Sequence, residues 1–316
     1  MKLTSPKLLL VVSCIAISST AFGESTNHNP NPAPGNKEKS KSYFFSSLLP
    51  TALQSHPSLA ITVITENSDE GKKLAPPTLE KPTYCLIKSV GYHHEGQGVS
   101  DIGKVSEENI RKLVQAALAN SHYLPSDTEH PATLVLFYFW GVHTKLDLDG
   151  LVDIGDRNLL SRAQLVGGVK FAHDFAMALD ARHQATENGP VGMDPVYLFS
   201  IRSDLNRSLV DQVLDDCYYI VVSAYDADAL TKGQRKLLWR TKMSTPAQGV
   251  SLAETTPALV SSAGPYFGHD MNEATIVAKR IDRKGKVGLG ELKVISMDEN
   301  PAEKSDKDVP GAVEKK

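Results

Sequence analysis

The sequence predicts an α+β or mixed α/β fold, in which a single sheet contains a β-α-β unit and a later β-hairpin, with helices packed on it. Residues 132–140 form an apolar run too continuous for a one-sided strand, which is typical of a strand buried on both faces. A helix with one apolar face is predicted before that run. Two β-forming segments, joined by a turn around Lys232-Gly233, are predicted after it. Alternating helices and strands of this kind favour helices layered on a sheet.

The β-α-β unit lies between residues 84 and 140. Tyr84–Tyr92 is rich in β-forming residues and ends at turn-prone residues, which predicts a strand. Ser106 is a candidate N-cap for the helix that follows. Apolar residues on one face of that helix recur at helical spacing: Ile110, Leu113, Val114, Ala117 and Leu118. The run at 132–140 then supplies the second strand.

Two helices are predicted next. The pattern from Leu159 to Arg182 is helical, and Gly167-Gly168 predicts a break or a close helix contact in its middle. A shorter helix begins at Asp204, which we expect to cap it, and runs to Leu214.

The last elements are a hairpin, a helix and an edge strand. Cys217–Tyr225 and Lys236–Thr245 are spaced as an antiparallel hairpin with a longer loop. A helix up to Ala263 follows, beginning either at the capping box Ser251–Glu254 or at Thr256-Pro257. Residues 287–297 could form a final edge strand.

Composition limits the class of protein. The chain has 316 residues, of which 41% are hydrophobic and 22% charged, with a formal net charge of -3. This excludes collagen-like, coiled-coil, disulfide-scaffold and multi-span membrane proteins. Nucleic-acid binding driven by bulk charge is also excluded, because that needs an excess of cations.

Residues 1–23 have the layout of a cleaved secretory signal peptide. Lys2 and Lys7 give a positive start, Leu8–Ser18 is mostly apolar, and Ala21-Phe22-Gly23 supplies small residues at positions -3 and -1 from the cleavage point. A transmembrane anchor needs about 18 to 20 apolar residues, more than this run contains. The sequence therefore predicts export to the periplasm or the medium, with no transmembrane helix in the mature chain.

Lipidation at Cys14 is the alternative, because Val11-Val12-Ser13-Cys14 loosely resembles a lipoprotein cleavage box. It would leave only Leu8–Val12 as the apolar stretch, shorter than the roughly 7 to 15 residues that such signals use. Lipid anchoring is therefore the minority interpretation.

The mature chain divides by composition. Residues 24–82 are predicted to be a mostly disordered tether, with a strand possible at 59–65. Pro76, Pro77 and Pro82 exclude a continuous helix or central strand from 66 to 82. We expect a globular domain at 83–297 and a disordered charged tail at 298–316.

Cleavage after Gly23 leaves Cys85 and Cys217, both in predicted strands. In an oxidising compartment the two could form a disulfide, and two buried free thiols are an equally ordinary outcome. The sequence leaves both open.

Two loops resemble ligand-binding motifs. Gly98–Lys104 matches the core of a phosphate-binding loop, but Val105 follows the lysine where a hydroxyl residue is needed. Asp147, Asp149, Asp153 and Asp156 fall at ligand positions of a calcium loop, yet Lys145 replaces the first carboxylate. A surface turn and a solvated acidic loop are the default interpretations.

Catalytic and zinc-binding patterns are missing. Neighbouring His93 and His94 at a strand end point to opposite faces, and no H-E-x-x-H or C-x-x-C occurs. His173-Asp174 could act as a catalytic pair only with a distant nucleophile, since no G-x-S-x-G elbow is present. Arg202 and Arg240 could each receive an anion, but isolated arginines are usually solvated or ion-paired. The sequence therefore predicts no catalytic, cofactor-binding or metal-binding residue.

Several short segments resemble an uncharacterised family of exported bacterial envelope proteins, many of them lipoproteins. They are spread over most of the globular region: Lys81–Tyr84, Val90–Tyr92, Ala132–Gly141, Lys236–Thr241 and Pro265–Gly268. The resemblance implies an envelope location and a compact α/β build, without site residues. The short apolar stretch before Cys14 departs from the lipoprotein members and puts membrane anchoring in doubt.

The leading functional hypothesis is a non-enzymatic periplasmic or secreted module that binds an envelope component or a protein partner. The alternatives are a hydrolase assembled from distant segments, using His173, Asp174 or the acidic loop, and a calcium-stabilised module. The hydrolase requires a cleft in which a carboxylate meets a histidine and a nucleophile.

Overall fold

The computed structural model of the chain describes residues 49–95, 105–144, 156–188 and 192–283. These residues form seven strands and six helices. The strands are β1 (Ser58–Asn67), β2 (Thr83–Glu95), β3 (Tyr123–Pro125), β4 (Leu134–His143), β5 (Cys217–Asp226), β6 (Leu237–Pro246) and β7 (Thr275–Arg280). The helices are α1 (Glu107–Asn120), α2 (Asp156–Asn188), α3 (Pro195–Ser200), α4 (Asp204–Leu214), α5 (Ala227–Thr231) and α6 (Leu252–Ala263).

All seven strands belong to one mixed sheet, in the order β3-β2-β4-β5-β6-β1-β7. Strand β2 is parallel to β3 and β4, and the remaining neighbours are antiparallel. The predicted β-α-β unit is β2-α1-β4, and the predicted hairpin is β5-β6 with α5 in its loop. The predicted fold class is confirmed.

One face of the sheet, the first face, is covered by α1 and α6. Alternate residues of each strand point to it, so β4 contributes Leu136 and Tyr138 while β5 contributes Ile220 and Val222. These side chains are fully buried. Burial of this apolar area, at about 25 cal/mol per Å², is the main favourable term for folding.

The opposite face, the second face, is only partly covered, by α2, α3 and α4. Its apolar cluster is centred on Phe171, Phe175 and Phe199, whose ring centroids lie 5.6 to 6.2 Å apart. Gln212 of α4 joins the helices to the sheet because its amide nitrogen donates to Thr62 Oγ1 at 2.7 Å. The Ser244 hydroxyl donates to the Gln212 Oε1 atom at 2.9 Å.

Local sequence signals explain most helix ends. The capping box at Ser251 is present, with Glu254 completing it, and α6 ends at Ala263 as predicted. Gly168 breaks the helical geometry of α2 with φ 84° and ψ -179°, which confirms the predicted interruption. The prediction that Asp204 caps α4 was wrong. Ser203, whose extended backbone leaves its hydroxyl free to accept from the Asn206 amide at 3.0 Å, caps that helix, and Asp204 is its first residue.

Strand β1 extends the folded part beyond the predicted globular boundary. It occupies 58–67, longer than the expected 59–65, and lies between β6 and β7. Ile61 and Val63 are fully buried, so the fold begins before residue 83. Strand β7 was not predicted from the sequence either. The strand predicted at 287–297, the segment 1–23 and the tail 298–316 lie outside the described residues.

Cys85 and Cys217 are free and buried. In the register Cys85 lies opposite Leu134 and Cys217 opposite His143, so the two thiols are at opposite ends of β4. Burial raises the pKa of each thiol to about 12. Of the two alternatives left open by the sequence, the structure has free thiols.

Across the four described ranges, no helix is long and apolar enough to cross a bilayer.

Candidate functional site

Two adjoining cavities form a groove on the second face, beside α2. The larger, of about 700 Å³, we call the charged compartment. The smaller, of about 210 Å³, we call the aromatic compartment. Gln164, Arg240 and Lys242 line both compartments, which therefore meet at these three residues. The charged side chains of the first are Glu66, Lys72, Lys170, Arg240, Lys242 and Asp270, and the rings of the second are His93, Phe139 and Tyr219.

Strand alternation places the polar side chains on this face. In β6, Trp239 and Met243 point into the core of the first face, so Arg240 and Lys242 point to the second. Glu66 of β1 lies directly opposite Arg240 in the register. Two strands that are distant in sequence thereby bring a carboxylate beside two cations.

Glu66, which is partly exposed, forms an ion pair with the buried Lys242 in the groove. The Lys242 ammonium lies 2.7 Å from Glu66 Oε2 and also donates to the Gln164 carbonyl oxygen at 2.7 Å. The Lys242 side chain is only 6% exposed, and burial lowers its pKa while Glu66 acts in the opposite direction. Burying a cation without a counter-charge costs folding free energy, and the Glu66 carboxylate offsets that cost for Lys242.

The interruption of α2 places a backbone amide against the carboxylate of this ion pair. At Gly168 the backbone leaves the helix, and the next amide, that of Val169, donates to Glu66 Oε1 at 2.6 Å. A Cβ atom at residue 168 would crowd that same oxygen and the Ile64 side chain. The conformation of Gly168 is one that essentially only glycine adopts.

Arg240 and Lys170 give the charged compartment an excess of positive charge. Of the four cations in the charged compartment, Lys242 is paired with Glu66 and Lys72 lies 3.4 Å from Asp270. Arg240 Nε donates to the Ser223 hydroxyl at 2.9 Å. Within the described part of the chain, neither Arg240 nor Lys170 has a carboxylate in ion-pair distance. The compartment therefore has net positive charge.

The aromatic compartment is built around Gly141. His93, Gly141 and Tyr219 lie side by side across β2, β4 and β5. The Tyr219 hydroxyl donates to the His93 carbonyl oxygen at 3.3 Å, and a Cβ at Gly141 would collide with both atoms. Phe139 meets the Tyr219 ring edge-on, with centroids 6.3 Å apart. The missing side chain at Gly141 lets the flanking residues approach each other.

The residues singled out from the sequence are dispersed. His173 lines the charged compartment, while Asp174 lines an adjoining cavity beside Leu205 that shares Gly167, Lys170 and Asn272 with it. Arg202 lies over the Phe199 ring at 5.7 Å, away from the groove. His93 lines the aromatic compartment, and the side chain of His94 lies outside the described residues.

The two loops that resemble ligand-binding motifs, at 98–104 and 147–156, lie outside the described side chains. Among the residues that are described, no group of three His, Cys, Asp or Glu side chains could hold a metal ion.

Sequence reasoning missed Glu66 and Lys242. Glu66 stands at the start of the segment assigned to a break between elements, and nothing local connects it to β6. A signal did exist in β6, because Trp239, Arg240, Thr241 and Lys242 alternate between core-compatible and cationic residues. Such alternation indicates one apolar and one polar face of a strand.

Comparison with known proteins identifies no family. No protein-family model matches the sequence, and no curated protein sequence matches it. Among solved structures, the fold is similar to a PDZ domain protein from Parabacteroides distasonis ATCC 8503, with a TM-score of 0.36 and 9% identity. The match covers 76% of this chain and 42% of that one, so this chain spans less than half of that protein's length. This likeness carries no functional argument.

Proposed function

We propose that this protein is an exported, non-enzymatic binding module, periplasmic or secreted, whose groove binds an anionic envelope component. The observation that carries the proposal is the pair of cations, Arg240 and Lys170, that form no ion pair with any described residue, in a compartment whose other charges are paired. This positive site occurs in a chain of net charge -3, so it is a local feature.

Arg240 is suited to receive an anion. Its guanidinium is half-buried on the sheet and held at Nε by Ser223, which restricts the rotamers that binding would otherwise have to order. Guanidinium groups bind carboxylates and phosphates through two parallel hydrogen bonds, and these charge-assisted bonds are about twice as strong as neutral ones. Lys170, on the rim of the same compartment, adds a second cation.

The positions of His173 and Asp174 on α2 favour this proposal over a hydrolase that uses this pair, because consecutive residues of a helix do not face each other. General acid–base catalysis needs the two groups within hydrogen-bond reach of one reacting centre. Two consecutive side chains that leave one helix in different directions do not meet this condition.

Calorimetric titration of the purified protein with acetate, citrate and inorganic phosphate at low ionic strength tests the binding site. We expect binding of at least one anion and a loss of at least tenfold in affinity for Arg240→Gln. Arg207→Gln removes the same charge from an exposed position of α4 outside the groove, and we expect it to bind as the wild type does. Absence of binding, or equal loss in both variants, would overturn the proposal.

Mass spectrometry of the protein recovered from the envelope and the medium tests export. Cleavage after Gly23 should yield a chain that begins at Glu24. A lipid-modified chain that begins at Cys14 would establish anchoring instead, and an uncleaved chain retained in the cytoplasm would overturn export.

A further inference from the structure

The aromatic compartment places three rings on the sheet directly beside the anion site. Phe139, Tyr219 and His93 come from three neighbouring strands, so the sheet itself fixes their positions. The Phe139 ring stands nearly perpendicular to both of the others, at 79° to Tyr219 and 75° to His93. Edge-to-face arrangements are the favourable geometry for aromatic rings, and an incoming ring can join them.

The size of the compartment suits one ring. Its volume is about 210 Å³. An apolar cavity of about 150 Å³ is large enough to bind benzene, so a single six-membered ring fits with a short attachment to spare. Val221 and Leu165 add apolar surface to the three rings, and a bound ring gains by covering that surface. The polar part of the lining is Ser161, Gln164, Arg240 and Lys242.

The junction with the charged compartment defines what the ring is attached to. Arg240 lines both compartments, so a ring bound against Phe139 and Tyr219 lies beside the guanidinium, where a substituent on the ring can reach it. Lys242, also at the junction, is already neutralised by Glu66, which leaves Arg240 as the cation to be matched.

We infer that the ligand of the groove is a small aromatic anion, with a planar ring in the aromatic compartment and a carboxylate or phosphate group at Arg240. This inference rests on the proposed function and deepens it, because it adds a ring to the anion. The shared chemistry, an anionic group one or two bonds from a ring, applies to free aromatic acids and to phosphate esters of ring compounds.

Calorimetric titration with matched pairs of probes tests the ring. Benzoate is compared with acetate, and phenyl phosphate with inorganic phosphate, so that each pair shares its anionic group. We expect the ring-bearing member of at least one pair to bind at least tenfold more tightly, and the pair that shows this identifies the carboxylate or the phosphate as the preferred anion.

Two variants locate the effect. Phe139→Leu should reduce the preference for the ring to less than threefold while acetate and phosphate bind as before. Phe137→Leu is the matched control, because Phe137 lies on the same strand and face, packs edge-on against Tyr225 and lines neither compartment. Circular dichroism and thermal unfolding of both variants establish that each is folded.

The possible results distinguish the aromatic ligand inferred here from the anion binding proposed for the groove. Binding of acetate or phosphate through Arg240 without a ring preference overturns the aromatic ligand and leaves the anion site. Failure of every anion to bind overturns both. Binding of benzyl alcohol as tightly as benzoate also overturns the inference, because the anionic group would then contribute nothing.

Discussion

Acidification is expected to remove about 3 kcal/mol of folding free energy through one residue, His143. His143 is fully buried at the end of β4, on the second face. Its Nε2 atom lies 2.8 Å from the Gln212 carbonyl oxygen, which can only accept, so the neutral ring has its proton on Nε2. Nδ1 is buried and has no hydrogen-bond partner in the described part of the protein.

The magnitude follows from the pKa. Burial is the main cause that lowers the pKa of His143 from 6.5 to about 4, and Arg162 adds to it, while the Gln212 carbonyl and Asp216 oppose it. Between these two values the unfolded chain binds a proton that the folded chain does not, so stability falls as the pH falls. Each pKa unit corresponds to about 1.4 kcal/mol, which gives about 3 kcal/mol over the window. Below about pH 4 both states are protonated and the loss is complete.

Urea unfolding at a series of pH values from neutral to 4 measures this effect. His143→Gln keeps a donor for the Gln212 carbonyl and removes the titrating group. The free energy of unfolding of the wild type minus that of the variant should therefore fall by about 3 kcal/mol across the window, because other titrating groups cancel. His269→Gln, at an exposed position, is the control and should run parallel to the wild type. Parallel curves for wild type and His143→Gln would refute the reasoning.

Three further predictions concern the groove and the thiols. Glu66→Gln should destabilise the fold by about 3 kcal/mol in urea unfolding, because it leaves the Lys242 ammonium buried without a counter-charge, and adding Lys242→Met should restore most of the loss. If the double variant is no more stable than Glu66→Gln, the pair does not act as described. Gly168→Ala should cost about 1 to 3 kcal/mol, because its backbone conformation is nearly restricted to glycine, and an unchanged midpoint of thermal unfolding would contradict this. Iodoacetamide should leave Cys85 and Cys217 unmodified in the native protein and alkylate both in urea, whereas a disulfide-linked peptide in a digest would contradict the free thiols.

The features predicted correctly from the sequence are those with local causes. The capping box at Ser251 involves four consecutive residues, and the break in α2 follows from the backbone freedom of Gly168. The buried character of β4 is evident from its own apolar run. The cap of α4 was missed by one residue because Ser203 and Asp204 are both good capping residues, and only the backbone decides between them.

The groove depends on long-range pairing, which no local pattern contains. Glu66 meets Lys242 only because β1 pairs with β6, and those strands come from opposite ends of the described chain. The aromatic compartment likewise needs His93, Gly141 and Tyr219 to be aligned across three strands. A shift of one residue in any register would turn these side chains to the other face, so residue type alone could not assign the site.

The position of β1 has a consequence for how the chain reaches its folded state. Thr62 lies between Ser244 and Ile276 in the sheet, so both neighbours of this early strand are synthesised near the end of the domain. Until then the strand that carries Ile61 and Val63 lacks both of its neighbours in the sheet, and contacts between such distant segments form slowly. A fragment that ends before β6 would leave β1 exposed and prone to aggregation. If the protein is exported as we propose, the sheet is completed only after the last strands of the domain have been delivered.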